Sequence, residues 1–302
     1  MELIGKTTID FIGKRNISFV ISSIIALIGI IGIIQIARGA ANMGIDFSGG
    51  TALQLKFSQP ILLEQAREAL ARHNLKEANL QEIKDGNKLL IKVGKANIAM
   101  GKVADTIEEV FKKELPGNSF VVESSTEIGP SIGDKLRKDT LIAVAISMLG
   151  IILYIAWRFD IKFGVGAAVA TLHDVLAMFA VFFVCSKEVN LLFITAVLTI
   201  AGYSLTDTVV VFDRIRENMH KDLKGAMQTI FNKSINEVLS RTIVTSLTAF
   251  LAALSLFFFG GEVIHDFALA LVIGIAVGTY SSVFVASPIV ALWEGKAVKA
   301  KA

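Results

Sequence analysis

Six long apolar runs decide what this chain can become. They cover about residues 17–37, 140–157, 163–185, 191–212, 242–259 and 267–293, and each is long enough to cross a hydrocarbon core roughly 30 Å thick. In lipid a segment must satisfy its own backbone hydrogen bonds, so runs of this length read as transmembrane helices and not as pieces of a soluble core. Hydrophobic residues make up 53% of 302 and charged residues only 19%, the balance of a polytopic α-helical membrane protein. The net charge of +3 is small and the basic residues outside the runs are interleaved with acids, which leaves no stripe for nucleic acid. The lone Cys185 has no partner for an internal disulfide and reads as a small packing residue. The first run is too long for a removable signal and lacks a cleavage pattern, so it is expected to stay as an anchor.

Six crossings place both ends of the chain on one side. Lys14 and Arg15 before the first run, the 158–162 turn, the basic residues of 214–241 and Lys296, Lys299 and Lys301 all fall on that side, whereas the short loops 186–190 and 260–266 carry only Lys187. The positive-inside rule then makes both termini cytoplasmic. The expected organisation is a cytoplasmic start and first crossing over 1–37, an external domain over 38–139, a bundle over 140–293 containing a cytoplasmic helix 214–240, and a cytoplasmic tail over 294–302.

The external block reads as an α+β unit. Leu53, Leu55 and Phe57 alternate with Gln54 and Lys56, the period of a strand with one buried face. Leu62, Ala66, Ala69 and Leu70 recur at helical spacing, with Pro60 suited to the first turn. Strand-like runs over 80–84 and 88–93 flank Asp85-Gly86-Asn87, a hairpin signal. A second helix carries Met100, Val103, Ile107, Val110 and Phe111, and a last strand over 120–122 follows the break at Pro116-Gly117. The order βαββαβ is ferredoxin-like.

Two acids lie inside the apolar runs. Asp207 and Asp174 each carry a cost of about 2.5 to 3.5 kcal/mol at the centre of a membrane helix, which makes each a functional-site candidate whose partner must be found. For Asp207 the expected partner is Arg241, since an antiparallel pair of helices brings both charges to similar depth. Thr199, Tyr203 and Asp207 share one helical face, and Arg241, Thr245 and Thr248 share another with Thr242 and Ser246 beside it. The competing readings are a static ion pair for Asp207 and a packing contact with His173 for Asp174. Asp213, Arg214 and Arg216 read as boundary anchors. Ala270, Gly274, Gly278, Ser282 and Ala286 recur every four residues in the sixth run, a seam for another helix of this chain or of a partner. No nucleotide-binding loop and no metal-ligand cluster accompanies the four histidines.

The motifs carry a family resemblance. The run from Gly202 through Tyr203, Asp207, Asp213 and Arg214 to Asn218 resembles the fourth-helix signature of the SecF family, the Sec accessory membrane subunits of the SecD/SecF group. Gly44, Asp46, Gly49 and Gly50 resemble the start of that family's external domain, and Gly129-Pro130 its end. Ser240 to Ser246 resembles its fifth-helix motif and His173-Asp174 its third-helix pair. Thr206 stands where the family pattern has Asn.

The resemblance implies one RND-like half that works with SecD beside the SecYEG channel in the bacterial cytoplasmic (inner) membrane. Other Sec accessory subunits, the translocating polypeptide and membrane lipids are further partners by the same likeness, and nucleic acid is not. Protons are the implied coupling ion and there is no cofactor; Asp207 is the implied proton-linked acid, Arg241 its basic partner, and no enzymatic reaction is expected. Two rivals stay open. An RND-type exporter of small molecules or lipids also uses intramembrane acids, though one half with one external domain of about 90 residues leaves little room for a tunnel. An intramembrane aspartyl protease needs Asp174 and Asp207 on a shared proton with no competing Arg241.

Overall fold

The computed structural model describes residues 5, 7–38, 42–76, 78–83, 87–94, 101–222 and 225–301. The Asp85-Gly86 turn, residue 84 and Met100 lie outside the described residues. In chain order the elements are α1 (Arg15–Ala37), α2 (Ile45–Ser48), β1 (Gly50–Phe57), α3 (Leu63–Arg72), β2 (Asn79–Ile83), β3 (Lys88–Val93), α4 (Val103–Glu114) and β4 (Phe120–Ile128). There follow α5 (Pro130–Arg158), α6 (Ile161–Val184), α7 (Leu191–Lys221), α8 (Met227–Phe259), α9 (Glu262–Ser281), a π-helical turn (Ser282–Ala286) and α10 (Ser287–Lys301). Contacts divide the chain into two units, Met43–Ile142 with Val189–Leu191, and Met1–Asn42 with Ala143–Glu188 and Leu192–Ala302.

The first of these is the α+β unit. Its sheet runs β2-β3-β1-β4 and every neighbouring pair is antiparallel, the ferredoxin-like arrangement expected from the element order. Alternation explains which face is covered: Leu53, Leu55 and Phe57 of β1 and Leu89, Ile91 and Val93 of β3 are buried against Ala66, Ala69 and Leu70 of α3 and Ile107, Val110 and Phe111 of α4. Phe57, Phe111 and Phe120 close one end, with ring centroids 5.5 to 6.3 Å apart.

Three local expectations change. Pro60 precedes the helix instead of opening it, because Ile61 turns into the core and Leu62 stays extended before α3 begins. The last strand runs on to Ile128, with Gly50 opposite Ile128 and a bulge at Gln54/Leu55. Its Ser124, Ser125 and Thr126 are exposed, so a strand held by backbone pairing at a sheet edge shows no apolar alternation. The Gly129-Pro130 break is the start of α5, since proline fits the first turn of a helix, and the helix is under way well before the expected domain limit at 139.

In the membrane unit six helices are long and apolar enough to cross a bilayer. About half of the apolar window is buried in α6, in α7 and in the α9–α10 rod, whereas α1, α5 and α8 turn most of theirs outward. Small residues let backbones approach. A Cβ on Gly29 of α1 would overlap the Leu176 carbonyl of α6, and one on Gly32 would press on Phe183. The seam of the sixth crossing is spent within the chain, since Gly274 faces Ile200 and Gly278 faces Ser204 of α7.

The expected separate helix over 214–240 does not exist. α7 runs without a break to Lys221 and α8 starts at Met227, so two membrane helices continue past the apolar runs as one antiparallel hairpin. Hydropathy marks the lipid-buried part of a helix and says nothing of where its hydrogen-bond ladder stops. The lead before α1 is fastened to this hairpin. Asn232 accepts from the Phe11 and Ile12 N–H groups at 2.9 and 3.0 Å and donates to Asp10 at 2.6 Å, while Asn236 accepts from the Ile9 N–H and donates to the Ile9 carbonyl.

The π turn has a local cause. Pro288 has no N–H to return to the carbonyl of Phe284, and Ser18 Oγ of α1 donates to that carbonyl instead at 3.1 Å. Ser287 Oγ satisfies the Ser282 carbonyl at 2.8 Å. The widened turn is therefore sealed by side chains.

Candidate functional site

Antiparallel register decides which residue meets Asp207. Asn218 of α7 donates to Ser234 of α8 at 2.9 Å, Arg214 donates to Glu237 at 2.6 Å, and Ser246 Oγ donates to Asp207 Oδ2 at 2.8 Å. These three links keep one register, which sets Arg241 opposite Val211, about 6 Å along the axis from Asp207 at 1.5 Å per residue. Among the described residues no ion pair joins Asp207 to Arg241. Asp207 is buried at 6% exposure, and Arg241, Thr245 and Thr248 lie on the exposed face of α8. The direct contact of the acid is thus with Ser246, while Arg241 acts on it through its charge and not through an ion pair.

The surroundings of Asp207 are under-bonded. Thr242 Oγ1, one turn before Ser246, is buried without a hydrogen-bond partner. Tyr203, one turn before Asp207, has a buried hydroxyl that makes no hydrogen bond of proper geometry. Buried polar atoms are nearly always partnered in folded proteins, so orphans beside an acid mark a place built to exchange hydrogen bonds. On the outward side of α7, Thr199 and Thr206 are exposed and bond their own helix at Thr195 and Gly202, and Gly202 has open space where a Cβ would stand.

Asp174 is the better-tied acid. It is fully buried and accepts from Ser204 Oγ of α7 at 2.6 Å, from Ser281 Oγ of α9 at 2.8 Å and faces His173 Nδ1 at 3.2 Å. No hydrogen bond joins the two carboxyl groups among the described residues, and each has its own donors, so they do not form the shared-proton dyad of an aspartyl protease. Ser204 and Ser281 escaped the sequence reading because a lone serine in an apolar run carries no period; their offset from Asp207 and from the Gly274–Gly278 seam is the signal that points to them.

The remaining motif residues build supports. Asp213 lies 3.5 Å from both Arg158 and Arg216, whose guanidinium groups stand over the Phe159 ring at 5.1 and 5.3 Å. Arg214 also pairs with Glu217 at 2.6 Å. In the α+β unit Gly49 and Gly50 have φ of +71° and +145°, conformations open to glycine. A Cβ on Gly50 would overlap the Val93 carbonyl, and Gly49 packs on Pro130 beside the Ile128 carbonyl. The start and end motifs therefore meet. Gly44 donates to the Val189 carbonyl at 2.9 Å, and Asp46 Oδ2 accepts from the Leu191 N–H at 2.9 Å, the first residue of α7.

Comparison with known proteins shows the family. Residues 106–296 match the family model described as protein export membrane protein SecD/SecF, C-terminal, and residues 41–61 match the SecD/SecF GG motif. The protein translocase subunit SecF of Thermodesulfovibrio yellowstonii is 54% identical over 294 residues, 97% of each chain. That of Calditerrivibrio nitroreducens is 41% identical over 296 residues, covering 97% of this chain and 96% of the other. A crystal structure of SecDF, a translocon-associated membrane protein from Thermus, superposes with a TM-score of 0.84 at 35% identity over 95% of this chain. SecDF in a super-membrane-facing form gives 0.72 at 34% identity over 100%. The chain spans 39% and 40% of those two solved chains. From the motifs, the fold and these relatives together, the chain belongs to the SecD/SecF family, among its SecF members.

Proposed function

We propose that this chain is the SecF-type subunit of a Sec accessory complex, joined to a SecD-type mate beside the SecYEG channel. In this reading it uses the proton-motive force to assist protein export across the bacterial cytoplasmic membrane. Both termini are cytoplasmic and the α+β unit lies outside, where it meets the emerging polypeptide. Asp207 carries the proton. Arg241 is the cation that acts on it from the exposed face of α8, and it awaits a neighbour there. Lipid is a poor neighbour for a guanidinium, which supports a mate against this face.

The observation that carries the reading is a buried carboxylate that accepts from Ser246 of the neighbouring helix, with Arg241 near enough to act on it by its charge and the Thr242 hydroxyl unpartnered beside it. Asp174, by contrast, takes two serine hydroxyls and faces His173. One unit charge crossing the membrane potential yields about 2.3 kcal/mol per 100 mV, enough to bias two nearly balanced conformations.

The test is Asp207→Asn. The amide oxygen still accepts from Ser246, so a merely structural role survives the change, while proton uptake does not. Membrane abundance and assembly with the mate are expected to stay at wild-type level, and export of a secreted reporter is expected to fall at least tenfold. Full export by an abundant Asp207→Asn protein rejects proton carriage by this acid.

A further inference from the structure

We propose that His173 and Asp174 form a second proton-binding site, and that its occupancy is passed to Asp207 through Ser204. The proposal rests on the reading of the chain as proton-driven and adds a site to it.

Two features of this cluster go beyond a packing knot. His173 is buried at 5% exposure and its Nε2 has no hydrogen-bond partner, although its other ring nitrogen faces Asp174 at 3.2 Å. Contact of Nδ1 with a carboxylate assigns the ring proton to Nδ1 and leaves the Nε2 lone pair bare. A buried imidazole kept only for packing has no reason to hold a basic nitrogen empty. The second feature is placement. The same carboxylate oxygen of Asp174 takes both Ser204 of α7 and Ser281 of α9, so three helices meet on one titratable pair.

The proton balance is simple. In the unloaded state neutral His173 donates Nδ1–H to ionised Asp174, and the pair carries one negative charge. Loading adds one proton to Nε2 and gives an imidazolium beside a carboxylate, with no net charge. The oxygen that holds Ser204 and Ser281 then shares its negative charge with a full cation, and both serine hydrogen bonds weaken.

The groups around the pair leave it open to this change. From α9 the Tyr280 ring lies 6.1 Å from the His173 ring, and its hydroxyl donates to the Ser18 carbonyl of α1 and meets Ser22 at 3.1 Å. From α7 come Ser204 and, one turn further, Asp207. Among the described residues no lysine or arginine pairs with Asp174. Among the described residues the titratable group that the contacts place beside the pair is Tyr280, with Asp207 one turn beyond Ser204.

Ser204 makes the link. It is one turn before Asp207 on α7, its carbonyl accepts from Thr208 Oγ1 at 3.1 Å, and its Cβ is in contact with the Cβ position of Gly278. Release of Ser204 from Asp174 frees α7 to shift in the turn that sets Asp207 against Ser246.

The test is a nitrogen-resonance titration of the full chain in lipid vesicles, with its four histidines labelled and His173 assigned by the signal lost in His173→Gln. The expected result is that Nε2 of His173 passes from bare to protonated as the pH is lowered from about 9 to about 5. Ser204→Ala and Asp207→Asn are each expected to move the midpoint by at least half a pH unit. A His173 that keeps one state across this range overturns the site, and where His173→Gln fails to insert, a chain with His73, His220 and His265 replaced by Gln leaves His173 as the one signal to follow. A midpoint untouched by both substitutions overturns the link. Neither readout involves export, so normal export by Asp207→Asn would reject the proton-driven reading without touching this titration.

Discussion

Glu123 gathers two donors on one oxygen. Lys88 Nζ and Gln54 Nε2 both reach its Oε2 at 2.8 Å, and the hydrogen bond from Lys88, ahead of the Coulombic pull of the same ammonium, holds its carboxyl below the usual value of 4.5. A depressed folded value stabilises the fold in full above the ordinary range, and that share is lost as pH falls through the lowered value. Amide protection in β1 and β4 is therefore expected to drop as pH falls below about 4.5, and Glu123→Gln should flatten that part of the profile. A wild-type profile that stays level down to pH 3 would contradict this. The same care with single atoms separates the two membrane acids: Asp174 takes two serine hydroxyls and faces His173, whose Nε2 is unpartnered, while Asp207 takes Ser246 with the unpartnered Thr242 hydroxyl nearby.

At the scale of elements, α7 is the part most worth perturbing from a distance. Its first N–H is taken by Asp46, an acid at a helix N-terminus, where a carboxylate satisfies an orphan donor and complements the helix dipole. Asp46→Ala is expected to cost about 1 kcal/mol of local stability, read as faster amide exchange over 191–194, with Asp46→Asn falling in between. Unchanged exchange would make the contact incidental. How much of this was legible in the sequence depends on the kind of signal. The six crossings and the order of strands and helices were, because apolar length and alternation are local patterns. The extent of α5, α7 and α8 was not, since polar turns of a helix outside lipid look like loop. Asp207 was found because a charge in an apolar run is conspicuous. Its hydrogen bond to Ser246 was not legible, because the register of α8 against α7 is a property of the pair of helices that no single residue announces. Ser204 and Ser281 were invisible for a related reason: their meaning lies in facing Asp174 across two helix interfaces.

For the molecule as a whole, the even number of crossings is checked by a native probe. Cys185 is exposed at the end of α6, and the proposed cytoplasmic termini would set that end outside. An impermeant thiol reagent is expected to label it from the external face of sealed membranes, and labelling from the cytoplasmic face alone would invert the arrangement. The sixth crossing adds a mechanical consequence through its π turn. An extra residue held in one turn of a helix is a movable defect: passing it along by one position turns the residue it passes by about 100° about the axis and advances it by about 1.5 Å, and leaves the helix on either side in place. Lys162 holds Glu294 at 2.8 Å beyond the turn, while Ser281 lies just before it. Moved back by one position, the defect would turn Ser281 away from Asp174 while the far end stays anchored, and the Ser18 and Ser287 hydroxyls that now seal it oppose that step.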